Sequence, residues 1–172
     1  PGLGRSTRLT VGAGLRHDQI GGVGLFRTDA RERLGTVRDD AVAETNGSVY
    51  GEVETRWTET LRTTLGLRGD AFRFDVNSDR AANSGARTAA LVSPKAGVVL
   101  GPWADTELYL NAGLGYHSND ARGTVITVDP ASGAAVDPVD PLVRTRAAEV
   151  GVRTAAVDGL QSTVSLWAIG LD

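Results

Sequence analysis

The sequence predicts an all-β fold: an antiparallel transmembrane β-barrel fragment of about seven strands, with short turns at one end and long loops at the other. Three observations predict it. Apolar and polar residues alternate with a period of two through most of the chain, as in strands with one greasy and one wet face. The connections between these segments alternate between very short and very long. Finally, no stretch approaches the roughly 18 consecutive apolar residues of a membrane helix, whereas a membrane strand needs only about 9–11 alternating residues.

The alternation places strands at about residues 6–16, 44–57, 60–75, 88–100, 105–117, 142–156 and 160–171. In the first, Leu9, Val11, Ala13 and Leu15 oppose Arg8, Thr10 and Arg16; in the second, Val49, Val53 and Trp57 oppose Glu52, Glu54 and Arg56. The third sets Leu61, Leu65, Leu67 and Ala71 against Arg62, Thr64, Arg68 and Asp70. In the fifth, Leu108, Leu110, Ala112, Leu114 and Tyr116 share the apolar face, against Glu107, Tyr109, Asn111, Gly113, Gly115 and His117. Ala148, Val150 and Val152 oppose Glu149 and Arg153 in the sixth. An Arg or Lys facing lipid at mid-depth costs about 2–4 kcal/mol. The charged face, with Lys95 added from the fourth strand, is therefore expected to line the interior.

Short turns are expected near residues 58–60, at Gly101-Pro102-Trp103-Ala104-Asp105 and at Val157-Asp158-Gly159, where Gly, Pro and Asp supply turn geometry. Long polar connections are expected from His17 to about Ala43, from Asn77 to Arg87 and from Ser118 to Pro141. Residues 29–34 read either as a short helix in the first loop or as a strand extension above the membrane. Every long connection falls on one side, as in outer-membrane barrels with tight periplasmic turns and extended extracellular loops. Trp57 and Trp103 beside short turns, and Phe72, Phe74 and Tyr116 toward the long loops, are placed as two aromatic girdles would be; Trp167 fits neither. Seven strands leave two edges, and barrels close with an even number, so residues 1–172 are expected to be part of a larger barrel.

Composition narrows the class further. Gly makes up 22 of 172 residues, nearly twice the usual roughly 7%, but Pro is only 6 and 41% of residues are hydrophobic, which excludes collagen and a disordered tail. A net charge of -3 gives no basic field for a polyphosphate, so nucleic-acid binding is not expected. With no Cys there are no disulfides and no thiol chemistry.

The run Leu91-Val92-Ser93-Pro94-Lys95-Ala96-Gly97, then Gly101-Pro102-Trp103 and Thr106-Glu107-Leu108-Tyr109-Leu110-Asn111, resembles the barrel of TonB-dependent outer-membrane receptors. Gly113-Leu114-Gly115-Tyr116-His117-Ser118-Asn119-Asp120-Ala121-Arg122-Gly123 is similar to that family's strand-to-loop signature, and Ala148-Glu149-Val150-Gly151-Val152-Arg153 to its next strand. The resemblance covers about residues 61–172 well, and the ordered series carries it. It implies a receptor in the outer membrane of a Gram-negative bacterium, energised through the TonB complex, that takes up a scarce nutrient such as a ferric siderophore or cobalamin. Such barrels have about 22 strands around a plug; the plug, the TonB-contacting box and the closing C-terminal strand of the family are not matched in these residues. The expected partners are TonB, an extracellular nutrient and outer-membrane lipid. Two other readings are a surface or soluble all-β binding module, such as a carbohydrate-binding sandwich, and a passive porin-like barrel.

No catalytic residue, metal site or cofactor is expected. His17 and His117 are the only histidines and lack metal-ligand spacing. The aspartates of Val128-Asp129-Pro130-Ala131-Ser132-Gly133 and Asp137-Pro138-Val139-Asp140-Pro141 lack the EF-hand pattern and read as a solvated, turn-rich loop. The candidate ligand contacts are His117, Asn119, Asp120 and Arg122, at the predicted base of the third long loop. Asn119, Asp120 and Arg122 read first as ties that hold that base in place, since Asn and Asp bond local backbone readily.

Overall fold

The computed structural model describes residues 5–171. Seven strands form one antiparallel sheet in chain order: β1 (Ser6–Asp29), β2 (Glu32–Arg56), β3 (Leu61–Ser78), β4 (Gly85–Trp103), β5 (Thr106–Ser118), β6 (Leu142–Val157) and β7 (Leu160–Leu171). The sheet curves into a half-barrel, with one short helix, α1 (Ala121–Val125), and a one-turn 3₁₀ helix (Ala81–Asn83) in the loops. A single sheet is not the two packed layers of a sandwich.

The faces follow the predicted alternation. Leu9, Val11, Leu15, Val49, Leu65, Leu67, Leu110 and Val164 are exposed on the convex side, the placement expected of a face that meets lipid. The charged set faces the concave side, and cross-strand register brings it into pairs. Lys95 meets Glu52 at 2.5 Å, Arg153 pairs with Glu107, and Asn111 donates to Glu149. Arg56 stands directly opposite Arg62, a like-charge pair.

The ends follow from local turn chemistry. Asp158 and Gly159 close the β6–β7 hairpin, with Gly159 at φ 76°. Ala104 and Asp105 both take positive φ between β4 and β5, the geometry of a two-residue hairpin turn.

Four expectations are corrected. The stretch from His17 to Ala43 is not a loop: β1 and β2 stay paired up to Asp29 and Glu32, and the turn is Ala30-Arg31, both at positive φ. Residues 29–34 are thus the tip of a strand extension. At 24 and 25 residues, the strands of this hairpin are more than twice the about 9–11 that a membrane crossing needs. Register shifts between Ile20 and Val23 and again before Phe26 and Thr28 break its alternation, which hid the strand from pattern reading.

The second connection is shorter than expected, because β3 and β4 run to Ser78 and from Gly85. The upper aromatics form no lipid girdle. Phe74 is wholly buried, its ring stacks on Phe72 at 5.7 Å, and Tyr116 meets Phe72 edge-on at 5.6 Å, all on the concave side. Tyr116 therefore leaves the lipid face assigned to it. Pairing of β4 with β5 starts at Trp103 and ends at Lys95↔Gly113, one residue short of Pro94. Proline has no N–H to extend a ladder, and beyond it the end of β5 lies over the inner wall.

The remaining correction concerns residues 119–141. The expected polar connection opens instead with α1, where Ala121, Thr124 and Val125 are buried, while residues 131–137 are exposed as a turn-rich loop should be. The hydrophobic core of the described residues is Val42, Phe74, Val76, Ala121 and Val125, flanked by Val23, Phe72 and Leu142. The core thus lies where the third loop folds inward onto the upper inner wall.

Candidate functional site

The inward-folded loop and the wall below it form the site. The loop is held at both its base and its tip. Asn119 Nδ2 donates to the Asp140 carbonyl at 2.7 Å, and the Asn119 N–H donates to the Pro141 carbonyl at 3.0 Å, closing the base. Asp120 caps α1 by accepting the Arg122 N–H at 2.9 Å, and its carboxylate also receives the Arg122 guanidinium, at 2.6 Å to Oδ2. These bonds stabilise the anion, so Arg122 holds the Asp120 carboxyl below the ordinary carboxylate range, with burial opposing. The same contact raises Arg122.

Asn83, buried in the 3₁₀ turn, is a residue that sequence reasoning missed. Its Oδ1 accepts the N–H groups of Thr127 and Val128, each at 3.0 Å, and its Nδ2 donates to the Val128 carbonyl at 2.8 Å. Arg80 donates to the carbonyls of Asp129 and Pro130, Thr127 Oγ1 donates to the Ala82 carbonyl, and Arg87 donates to the Thr124 carbonyl. The two loops are thereby joined. A lone Asn in a polar loop carries no local signal of this role, because its partners lie about 45 residues onward.

Of the four predicted site residues, Asn119, Asp120 and Arg122 come together at the loop base, Asp120 bonded to Arg122 and Asn119 to the far end of the loop at Asp140 and Pro141. His117 stands near the end of β5, two residues before Asn119, exposed and opposite Val143. On the β2 side of the loop, a second ion pair joins Arg38 to Asp40 at 2.6 Å, with the Asp40 side chain fully buried. Each pair closes within its own segment, Arg38–Asp40 on the wall and Asp120–Arg122 on the loop.

Below the loop, the concave wall carries a cavity of about 630 Å³ lined by Arg16, Glu44, Asn46, Tyr50, Phe72 and Tyr116 among others. A second, of about 560 Å³, adjoins it through Tyr50, Arg68 and Tyr116. The Tyr50 ring leans across onto β1, where a Cβ on Gly12 would meet its Cε1 and Cζ at 2.5 Å; Gly12 is the opposite residue in register. Only glycine leaves room for the ring to lie there. Arg68 holds Asp70 in a bidentate pair at 2.7 and 2.8 Å, and the Tyr116 side chain lies against it. None of these wall contacts stood out in sequence, although Tyr50 lies on the predicted wet face.

The fold, its lipid-facing side and its unequal ends agree with the comparison of the chain with known families. A family model described as TonB dependent receptor-like, beta-barrel matches residues 2–170, nearly the whole chain. No curated protein matches the sequence. The chain therefore belongs to the TonB-dependent receptor-like β-barrel family, an outer-membrane family of receptors and transporters rather than enzymes.

Proposed function

We propose that the chain is part of the barrel of an outer-membrane receptor that takes up a scarce extracellular nutrient with energy delivered through the TonB complex. The single observation that carries this reading is the family match across residues 2–170. The structure supports it in two ways: an apolar convex face suited to lipid, and a polar concave face with cavities of ligand size. The outer sides of β1 and β7 have no strand partner among the described residues. Open backbone edges are not tolerated at membrane depth, so further strands are expected to close the barrel. The long-loop end is the extracellular end in this reading. His117 meets cargo there, and Asn119, Asp120 and Arg122 set the shape of the entry beside it.

The test is uptake by cells that carry the full-length gene, with and without a working TonB. Growth on a limiting nutrient that requires both the gene and TonB is the expected result. Gene-dependent growth that persists without TonB would replace this reading with the passive porin-like pore.

A further inference from the structure

The sheet is not sealed along its whole height. β4 and β5 pair only from Trp103↔Thr106 up to Lys95↔Gly113, nine residues on one strand and eight on the other, close to the about 9–11 that a membrane crossing needs. Above that level β4 runs on to Gly85 paired with β3 alone, and β5 runs on to Ser118 paired with β6 alone. Two strand edges face each other there without a ladder. Open edges are not tolerated within hydrocarbon, so the seam between them begins where the hydrocarbon of the outer leaflet ends.

The sheet bends inward at this point. A Cβ on Gly113 would stand 3.3 Å from the Lys95 Cβ and 3.2 Å from the Pro94 carbonyl oxygen, crowding that marks a bent strand and that glycine relieves. Three residues on, Tyr116 reaches Phe72 on the inner side of β3. α1 covers the top of the seam, where Arg87 donates to the Thr124 carbonyl. Lower down, one side chain from the far bank crosses it: Arg144 of β6 donates from Nη1 to the Val92 carbonyl at 3.3 Å.

Cavities lie on both sides of the β4 edge. The inner one, of about 560 Å³, is lined at the seam by Ser93, Lys95, Leu114 and Tyr116. The outer one, of about 770 Å³, is lined by Val49, Gly69, Ala71, Ala90, Val92 and Arg144. Apart from Arg144, these residues share the lipid-facing side of their strands. At the gap, Ser93 Oγ is buried and has no hydrogen-bond partner among the described residues, and Arg144 has the Val92 carbonyl but no carboxylate. An apolar groove outside, a cation and a free hydroxyl at the gap, and a polar cavity inside follow one another in the order of a tail, a charged head and its destination. A carboxylate or phosphate head would give Arg144 the charge-assisted bonds it lacks.

We propose that the seam between β4 and β5 is a lateral entrance for a single-chain amphiphile with an anionic head. The molecule comes from the outer leaflet and presents its head to the barrel interior, for uptake that rests on the receptor function proposed above. Its tail lies along Val49, Ala71 and Val92, and its head meets Arg144 and Ser93.

The experiment uses the full-length receptor in lipid nanodiscs with palmitate, hexadecyl phosphate and hexadecanol. Each probe is made in two photoreactive forms, labelled at the tail end or beside the head. With the anionic probes, tail labels are expected on Ala71, Ala90 or Val92, and head labels on Ser93, Leu114 or Tyr116. Hexadecanol should label about 10-fold less, and Arg144→Ala should weaken the anionic probes by about the same factor, the worth of a charge-assisted bond. Arg144→Lys should cost no more than about 3-fold, because it keeps the charge. A short cross-link between cysteines placed at Ser93 and Leu114 should remove the head labels. Trypsin resistance of the barrel establishes that each variant is folded. Labelling by one anionic probe and not the other keeps the proposal and tells a carboxylate head from a phosphate head. Labels no denser at the seam than elsewhere on the convex face would mean lipid contact only and overturn it. So would head labels confined to the convex face, hexadecanol equal to the anionic probes, or parental binding by folded Arg144→Ala. Entry as expected, with growth on the amphiphile that needs no TonB, would keep the entrance and sink the transport reading. TonB-dependent growth on a cargo that does not enter lipid, with no probe at the seam, would do the opposite.

Discussion

Asn83 and Val128 are joined on both sides of the Val128 residue: the Asn83 side chain accepts its N–H at 3.0 Å and donates to its C=O at 2.8 Å. One buried side chain thus substitutes for a pair of strand-ladder bonds between two loops that have no ladder. Asn83→Ala would leave the Thr127 and Val128 N–H groups and the Val128 C=O without this partner. A buried group so stranded costs about 1–3 kcal/mol, less where water reaches it. Exchange of the Thr127 and Val128 amides should therefore speed by one to two orders of magnitude, roughly 1–3 kcal/mol. Asn83→Asp keeps the two acceptances, loses the donation and should fall between. Equal exchange in parent and Asn83→Ala would show that the clasp holds nothing.

Phe74 is the centre of the loop-to-wall core, wholly buried against Ala121 and Val125 of the loop region. Phe74→Ala should cost about 3–5 kcal/mol. Because the lost contacts are with α1, the loss should appear first as protease cleavage after Arg122, ahead of unfolding of the strands. Denaturation and limited proteolysis of the same sample separate the two.

The Arg38–Asp40 pair predicts a non-additive result. Arg38→Ala would leave a buried carboxylate without its cation, an effect of about 3–5 kcal/mol. The double variant Arg38→Met with Asp40→Leu removes both charges and should recover most of that. A double variant no more stable than Arg38→Ala alone would mean that the pair does not set the stability of this region.

Leu67 and Arg68 are neighbours on opposite faces of β3. Leu67→Arg should destabilise the barrel in a bilayer by about 2–4 kcal/mol if it lies near mid-depth. A lipid-phase label should reach a cysteine at Leu67 and not one at Arg68. The reverse pattern would invert the assignment of faces.

Loop docking should weaken in acid. Hydrogen bonds from Arg122 hold the folded Asp120 carboxyl below its ordinary range, and those from the Ser132 hydroxyl and N–H do so for Asp129. A carboxyl whose folded pKa lies below the unfolded value of about 3.9 stabilises the folded form above that pH. That contribution is lost as pH falls through the folded value. Protection of amides in residues 119–141 should thus decline below about pH 4, with Asp120→Asn flattening its share of the decline. A decline already under way near pH 6 would point to other groups.

Much of this was legible in the sequence, and what was not has a common cause. Strand positions, the apolar and charged faces and the short turns are local properties. A period of two puts side chains on alternate faces whatever the neighbours do, and Asp158-Gly159 makes a hairpin turn from its own backbone preferences. The misreadings fall where local pattern and distant pairing disagree. Bulges after Ile20 break the alternation, so only the pairing of β1 with β2 along its length shows residues 17–43 to be strand. Tyr116 has the parity of a lipid-facing residue, but the ladder with β4 stops beside Pro94 and the ring ends against Phe72.

The sequence by itself therefore determined the strands outside residues 17–43, the face that most of their residues take and the end at which the connection from Ser118 to Pro141 lies. Only the tertiary structure decided that the third loop folds inward on Phe74, that Asn83 clasps Val128, and that Tyr50 lies over Gly12. The physical reason is range. Alternation is set by backbone geometry within two residues, whereas the contacts of Phe74 with the third loop, of Asn83 with Val128 and of Tyr50 with Gly12 join groups about 40 or more residues apart, and depend on register and packing that no short window contains.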